Sequence, residues 1–445
     1  MNAPLYNTLV SRAGLGTLRM HMPGHKGKCA PPEFLAAAAL DFTELDGTGN
    51  LYTGDGPIAG AEALAASAWG AESCYFLTGG STQGVHAALA LCARPGDKIL
   101  LDRGSHLSFF TGMALLGLEP EYVWFPTAQR VSAALDIHND IKTVCVTSPT
   151  YYGRVLDVAG IGAACRAHGA RLFVDEAHGA HFPFVGMGKC AQGKGADVSV
   201  TSAHKTLPAL GSAAMLFASG DFAPEDVREK TAMFGTSSPS YAIMASIDWA
   251  RAYITEGGGA AEYMRAAKGV GKIRKEINSR GVFRAFEGAD ADPTRLTVDM
   301  GSLGGKRAAR MLDEKYGVCC ETSDRDRAVF IVTCADSDGD LARLSDAIRA
   351  LEPLAPASGD ARACPELPAA KRVMAMRDAA FSPRERIPLA AAAGRTAAEC
   401  IAPYPPGVPV AAPGEEIGPE ILAYLQGVGY EEKTYVSVVK EAERV

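Results

Sequence analysis

Between Ala61 and Phe217 the chain alternates short apolar runs with helical stretches, and few folds accommodate that pattern. The runs are Cys74–Leu77, Lys98–Leu101, Val144–Thr147, Leu172–Val174, Val198–Thr201 and Ala214–Phe217. They are short and largely apolar on both faces, as a strand is when helices cover both of its sides. Between the first two, Gln83–Cys92 places Val85, Ala88, Leu89 and Cys92 on one helical stripe. Gly169, after the helical Ala159–His168, is a natural helix stop. The alternation predicts an α/β domain on a mostly parallel sheet. In such a sheet, ligands sit beyond the carboxyl ends of the strands.

The remainder divides around that domain. Residues 1–50, rich in Gly, Pro and His, read as an irregular arm ahead of a large domain over 51–280. Two long helices, Asp248–Glu256 and Ala260–Ile277, are separated by Gly257-Gly-Gly259. Past Gly281, strand-like Leu296–Val298 and Val329–Thr333 flank the helical Lys306–Tyr316, a small α+β domain over 281–355. Leu354–Pro368 reads as a linker. A C-terminal domain over 369–445 follows, with a proline-rich turn at Pro403–Gly407 and a helix from Pro419 to Gly427.

Charge and composition narrow the function. A net charge of -7 argues against a nucleic acid as the partner. No apolar run reaches the roughly 18–20 residues that span a bilayer. Met1–Val10 has neither the basic start nor the apolar centre of a signal peptide. The 11 cysteines are scattered, with Cys319–Cys320 the only close pair, which suits thiols in a reducing cytoplasm.

Three strand ends carry the chemistry. The first, R-L-F-V-D-E-A-H (Arg171–His178), ends a strand in two carboxylates and a histidine. A helicase-type Mg²⁺ box needs a G-x-x-x-x-G-K-[ST] phosphate loop, and no Gly-Lys pair here is followed by Ser or Thr. A metal site from Asp175, His178 and His181 lacks a supporting H-E-x-x-H helix or cysteine cluster, so no metal is expected. A carboxylate partnering a cofactor's pyridine nitrogen is the remaining reading. The second, V-S-V-T-S-A-H-K-T (Val198–Thr206), ends in Lys205, flanked by Ser202 and His204. A desolvated lysine becomes a nucleophilic amine that condenses with aldehydes. The third, F-L-T-G-G-S-T-Q-G (Phe76–Gly84), sets Gly80, Ser81 and Thr82 between a strand and a helix. Free N–H groups there favour an anion, although Ser81 or Thr82 capping the helix explains the same residues.

Taken together, an anion cradle, an aspartate after a strand and a lysine 30 residues further on are what pyridoxal 5'-phosphate (PLP) requires. The carboxylate of Asp175 would keep the ring nitrogen protonated, and Lys205 would hold the aldehyde as an imine. His106, in D-R-G-S-H-L-S, is placed to stack on one ring face while Ala177 packs on the other.

At these residues the chain resembles the bacterial ornithine/lysine/arginine decarboxylases of PLP fold type I. The likeness runs through H-M-P-G-H-K-G (His21–Gly27), D-F-T-E-L-D-G (Asp41–Gly47), S-P-T-Y-Y-G (Ser148–Gly153), D-E-A-H-G-A-H (Asp175–His181) and S-A-H-K-T-L (Ser202–Leu207). It continues in T-S-S-P-S-Y (Thr236–Tyr241), G-R-T-A-A-E (Gly394–Glu399), P-Y-P-P-G-V-P (Pro403–Pro409) and P-G-E (Pro413–Glu415). The resemblance is to short members without the N-terminal wing domain. It implies that Lys205 is the imine lysine, Asp175 the ring-nitrogen partner and His106 the stacking residue. It also implies that Ser81, Thr82, Ser202 and His204 hold the phosphate. A homodimer or higher oligomer follows from the same likeness, with Ser238 reaching the partner subunit's phosphate. One departure stands out: the usual R-N-x-H-K-S around the histidine is R-G-S-H-L-S here, with Gly104 and Leu107 replacing Asn and Lys.

The expected reaction is α-decarboxylation of arginine, lysine or ornithine to the amine. Lys205 or His178 is the acid that reprotonates the α-carbon, or His178 only orients cofactor or substrate. Glu415 is a candidate for the substrate's distal cation. The rivals are a PLP aminotransferase or amino-acid lyase, with Arg295 or Arg395 clamping the α-carboxylate, and a catalytically silent PLP-fold binding protein.

Overall fold

In a computed structural model of the protein, residues 1–355, 367–369, 371–403 and 407–441 are described. The linker expected over Leu354–Pro368 and the turn at Pro403–Gly407 lie for the most part outside them.

Seven strands make the central sheet: β1 (Ser73–Leu77), β2 (Lys98–Asp102), β3 (Glu119–Val123), β4 (Thr143–Thr147), β5 (Arg171–Asp175), β6 (Val198–Thr201) and β7 (Ala214–Ala218). Their order is β1-β7-β6-β5-β4-β2-β3. The pairs from β6 through β3 are parallel, whereas β7 runs against both of its neighbours. It follows that β1 points the same way as β6, and β7 alone is reversed. All six strand ends that carry loops toward the site therefore open on one edge.

The expected strands are present to within a residue or so. β3 was not anticipated, because Glu119-Pro-Glu-Tyr-Val123 is polar and carries a proline; it sits at the sheet edge, where both are tolerated. Side chains alternate between two cores as the pleat requires. Along β1, Cys74 and Phe76 enter one cluster while Tyr75 and Leu77 enter the other. Along β7, Met215 and Phe217 oppose Leu216 in the same way.

The helix Gly80–Cys92 lies tightly on this sheet at Gly84. A β-carbon there would come within 2.7 Å of Leu77 Cδ1 and Val200 Cγ1. Only glycine permits that approach, and it brings the helix N-terminus down onto the ends of β1 and β6.

The first fifty residues are less irregular than their composition suggests. Pro4–Gly14 is a helix, with proline in its first turn and Leu5 and Leu9 buried in the large core. The helix Tyr241–Glu256 begins seven residues earlier than expected, capped by Ser240, whose side chain accepts from Ile243 N–H. The helix Gly259–Arg280 joins two bodies, burying Tyr263 in the large core and Val270, Ile273 and Ile277 in the smaller one. The smaller body has β8 (Arg284–Ala285), β9 (Arg295–Asp299), β10 (Thr322–Ser323) and β11 (Arg327–Ile331) in the antiparallel order β10-β11-β9-β8. In the tail, β12 (Arg384–Pro388) pairs antiparallel with β13 (Tyr435–Val439) beside the helix Pro419–Gly427.

Candidate active site

The loops after β1, β4, β5 and β6 are stitched to one another through their backbones. Ser148 N–H donates to Asp175 C=O (3.0 Å), Glu176 N–H to Val200 C=O (2.9 Å) and Ser202 N–H to Ala177 C=O (3.2 Å). Gly80 N–H donates to Ser212 C=O (2.9 Å), and His204 N–H to Ala213 C=O (3.1 Å). Residues far apart in sequence are thus fixed on one surface.

Asp175 closes β5 and is buried; its Oδ1 accepts from Ala177 N–H at 3.0 Å. Burial pushes its carboxyl up, while Lys205 and His106 act in the opposite direction. Lys205 stands on the single helical turn Ala203–Thr206 directly after β6. Its Nζ lies 3.2 Å from His178 Nε2, and burial lowers its affinity for a proton. His106 caps the helix Leu107–Leu116: Nδ1 accepts from Ser108 N–H at 3.2 Å and meets the Ser108 hydroxyl at 3.0 Å. That ring is held neutral first by burial, with Asp175 opposing and Lys205 reinforcing. Asp175 feels both Lys205 and His106, and His106 feels both Asp175 and Lys205, so the three predicted residues lie within electrostatic reach at one site.

Around the expected anion cradle, no side chain caps the helix Gly80–Cys92. Ser81 and Thr82 are therefore not spent on its first-turn N–H groups, and the capping alternative fails. Gly80 has φ +73°, with open space beside its α-carbon. The Ser202 hydroxyl is buried without a partner among the described residues. His204 points Nδ1 at Ala213 C=O (2.9 Å), which places the proton there and leaves Nε2 as the other ring nitrogen to be satisfied. Uncapped helix N–H groups, an unpartnered hydroxyl and a desolvated amine within electrostatic reach of a buried carboxylate fit a phosphorylated pyridine aldehyde. Ser238 is exposed, on the loop before the helix Tyr241–Glu256, with its N–H on Thr236 Oγ1 at 3.2 Å.

Several residues play parts that the sequence did not reveal. His181 turns away from Asp175: its Nε2 lies 3.0 Å from Asp292 Oδ1 and 2.8 Å from the Thr294 hydroxyl. Arg295, at the start of β9, donates from Nη1 to Tyr151 C=O (2.9 Å) and sets Nη2 2.8 Å from His178 Nδ1. Tyr151 rests edge-on against the His178 ring, 5.1 Å between centroids, and donates its hydroxyl to Glu321 Oε1 at 2.9 Å. Glu321 is exposed, yet its negative charge acts on both Lys205 and Arg295. It is an exposed carboxylate within electrostatic reach of the site. The signal for it lay in the small-domain sheet, which only folding brings against Ser148–Gly153.

Two expectations need correction. Glu415 is neither a loop carboxylate in solvent nor turned toward a ligand. It is buried, accepts from Tyr122 O–H (2.7 Å) and Ala412 N–H (2.8 Å), and lies 3.5 Å from Arg103 Nη2. Arg395 is engaged in the tail, donating to Glu385 Oε1 at 2.6 Å and to Val439 C=O at 3.0 Å. At the Leu107 departure the backbone N–H of Leu107 donates to Gly407 C=O (3.2 Å), so this loop is held by the tail. Gly104 N–H is held by Asp102 Oδ1 at 3.0 Å.

Known proteins place the chain. Residues 3–298 match the family described as Orn/Lys/Arg decarboxylase, major domain, and residues 362–435 its C-terminal domain. Arginine decarboxylases from Bacillus anthracis and Bacillus subtilis are each 31% identical over 95% of this chain and 92% of their own lengths. The lysine decarboxylase of Francisella novicida superposes with a TM-score of 0.83 at 17% identity, over 98% of this chain and 81% of that one. A pyridoxamine-pyruvate aminotransferase from Mesorhizobium loti superposes at 0.58 and 19% identity, over 73% of this chain and 90% of its own. The fold is that of the PLP-dependent fold type I enzymes. Sequence likeness along nearly the whole chain, and a site whose lysine, aspartate and histidine converge, make this protein a member of the Orn/Lys/Arg decarboxylase family.

Proposed function

We propose that the chain removes the α-carboxyl group of arginine, giving agmatine and carbon dioxide, with PLP held on Lys205. The observation that carries this reading is the convergence of Lys205, Asp175 and His106 at the ends of β6, β5 and β2. Arginine is favoured over lysine because the relatives alike over 95% of the chain are named arginine decarboxylases. The constitutive lysine decarboxylase of Escherichia coli is 26% identical over 54% of it.

When bound, PLP supplies an aldehyde for the amine and a protonated ring that takes up the electron pair left as carbon dioxide departs. Asp175, desolvated at the strand end, holds the proton of the ring nitrogen. His106 and Ala177 would hold the two faces of the ring. The N–H groups of Ser81 and Thr82, with Ser202 and His204 and the open space beside Gly80, would hold the phosphate. Lys205, with its proton affinity lowered by burial, would be the amine that holds the cofactor. Glu321 attracts the substrate's distal cation.

An aminotransferase would need an arginine for the α-carboxylate. Of the two sequence candidates, Arg395 is engaged in the tail with Glu385, and Arg295, although in the site, sets its Nη1 and Nη2 on Tyr151 C=O and His178. In this reading the enzyme is a homodimer or larger, Ser238 completes the partner's phosphate site, and the protein works in the cytoplasm in polyamine formation. The described cysteines are all free, which suits a reducing compartment. Among the described residues no helix is long and apolar enough to cross a membrane.

The deciding experiment incubates the purified protein and PLP with arginine, lysine and ornithine, following amine, carbon dioxide and keto acid. Agmatine and carbon dioxide from arginine, absent in Lys205→Ala, are expected. A keto acid without carbon dioxide would overturn the proposal.

A further inference from the structure

His178 is buried between two cationic side chains. Its Nδ1 lies 2.8 Å from Arg295 Nη2 and its Nε2 lies 3.2 Å from Lys205 Nζ. A guanidinium carries hydrogens on every nitrogen and accepts nothing, so Nδ1 must present a lone pair to it. A neutral imidazole with its lone pair on Nδ1 has its hydrogen on Nε2. That hydrogen faces Lys205 Nζ, which accepts it only as a neutral amine, since an ammonium has three donors and no lone pair. An imidazolium would set N–H against N–H at Arg295, and a charged lysine would do the same at Nε2.

We propose that Arg295 is a positioning residue that fixes His178 as the Nε2–H tautomer and through it keeps Lys205 a neutral, nucleophilic amine. The inference rests on reading Lys205 as the residue that takes the cofactor. It also bears on His178 as the candidate acid: that ring has no place for a second proton while Arg295 occupies Nδ1, so His178 positions its neighbours and does not donate to the α-carbon.

The surrounding charges agree with the geometry. Burial holds His178 well below the ordinary imidazole range, and Lys205, Arg295, His106 and His181 all act in the same direction. Lys205 is lowered by burial and by Arg295, against Asp175 and Glu321. Arg295 is in turn anchored by Tyr151 C=O and by the charges of Asp292 and Glu321.

Two measurements test this. The full-length chain, freed of cofactor and labelled with ¹⁵N-histidine, is examined by long-range ¹⁵N–¹H NMR, with His178→Gln assigning the ring. Hydrogen on Nε2 and a bare Nδ1 are expected; hydrogen on Nδ1 overturns the proposal. Secondly, the rate at which the chain turns yellow with PLP is followed against pH. Arg295→Met, verified as folded, is expected to move the midpoint up by roughly one pH unit or more. Arg295→Lys, which keeps charge and donor, restores the wild-type profile. An unmoved midpoint in folded Arg295→Met overturns the positioning role, and if that variant does not fold the NMR result decides. A chain that takes no colour at any pH removes the cofactor reading instead, and the NMR arm still decides the tautomer.

Discussion

Arg103 and Glu415, from opposite ends of the chain, meet in a buried contact with Nη2 and Oε2 3.5 Å apart. Arg103 also donates to Pro409 C=O and Val410 C=O (3.0 Å), and its guanidinium lies over the Tyr122 ring, 4.9 Å from the centroid. Three residues later comes His106. The tail domain thus grips the loop that carries the stacking histidine. Replacing Glu415 by Ala leaves a buried guanidinium without its anion, a change expected to cost about 3–5 kcal/mol. The thermal midpoint should fall clearly, and less in Glu415→Gln. Surviving folded enzyme should keep its KM; a raised KM would return Glu415 to substrate binding.

Glu321 is the contrasting carboxylate. It is exposed, and it accepts a hydrogen bond from the Tyr151 hydroxyl. Glu321→Gln is expected to raise KM for arginine about 10- to 100-fold, the worth of one charge-assisted hydrogen bond, with little change in kcat. Steady-state kinetics separate the two. Equal KM values would remove Glu321 from recognition of the distal cation.

Asp175→Asn keeps an acceptor for Ala177 N–H but loses the negative charge. Cofactor titration should show weaker binding, and kcat should fall by about 100-fold or more, because an electrostatic partner of the reacting ring is gone. A variant with wild-type turnover would sink the assignment.

Glu176, in the middle of D-E-A-H, does structural work. Its Oε2 accepts from Ala191 N–H at 2.9 Å, and burial pushes its carboxyl up to about 8, with Asp175 adding to the rise. The folded state therefore holds a proton that the unfolded chain has already released. Its stabilising contribution is complete below the ordinary carboxylate range, near pH 4.5, and is lost as pH rises through about 8. Between those limits the loss is about 1.4 kcal/mol per pH unit for a single proton. Glu176→Gln should flatten the decline in thermal midpoint between pH 5 and about 8, measured by calorimetry. An identical decline in both proteins would mean that another group governs it.

The sequence by itself determined the sheet and the reacting residues. Strands buried on both faces are continuous apolar runs, and each site residue follows such a run directly, so Asp175, Lys205 and the Gly80–Thr82 turn were legible from local pattern. Local pattern does not say which loops of separate bodies meet. That Arg295 from β9 holds His178, that Glu321 joins Tyr151, and that Glu415 binds Arg103 are decided by how the small and tail domains pack on the sheet. The edge strand β3 escaped for a related reason: its polar face is permitted by its place at the margin, not by its own residues. Periodicity reports burial within one element, whereas a charge reports its role only once its partner is brought beside it.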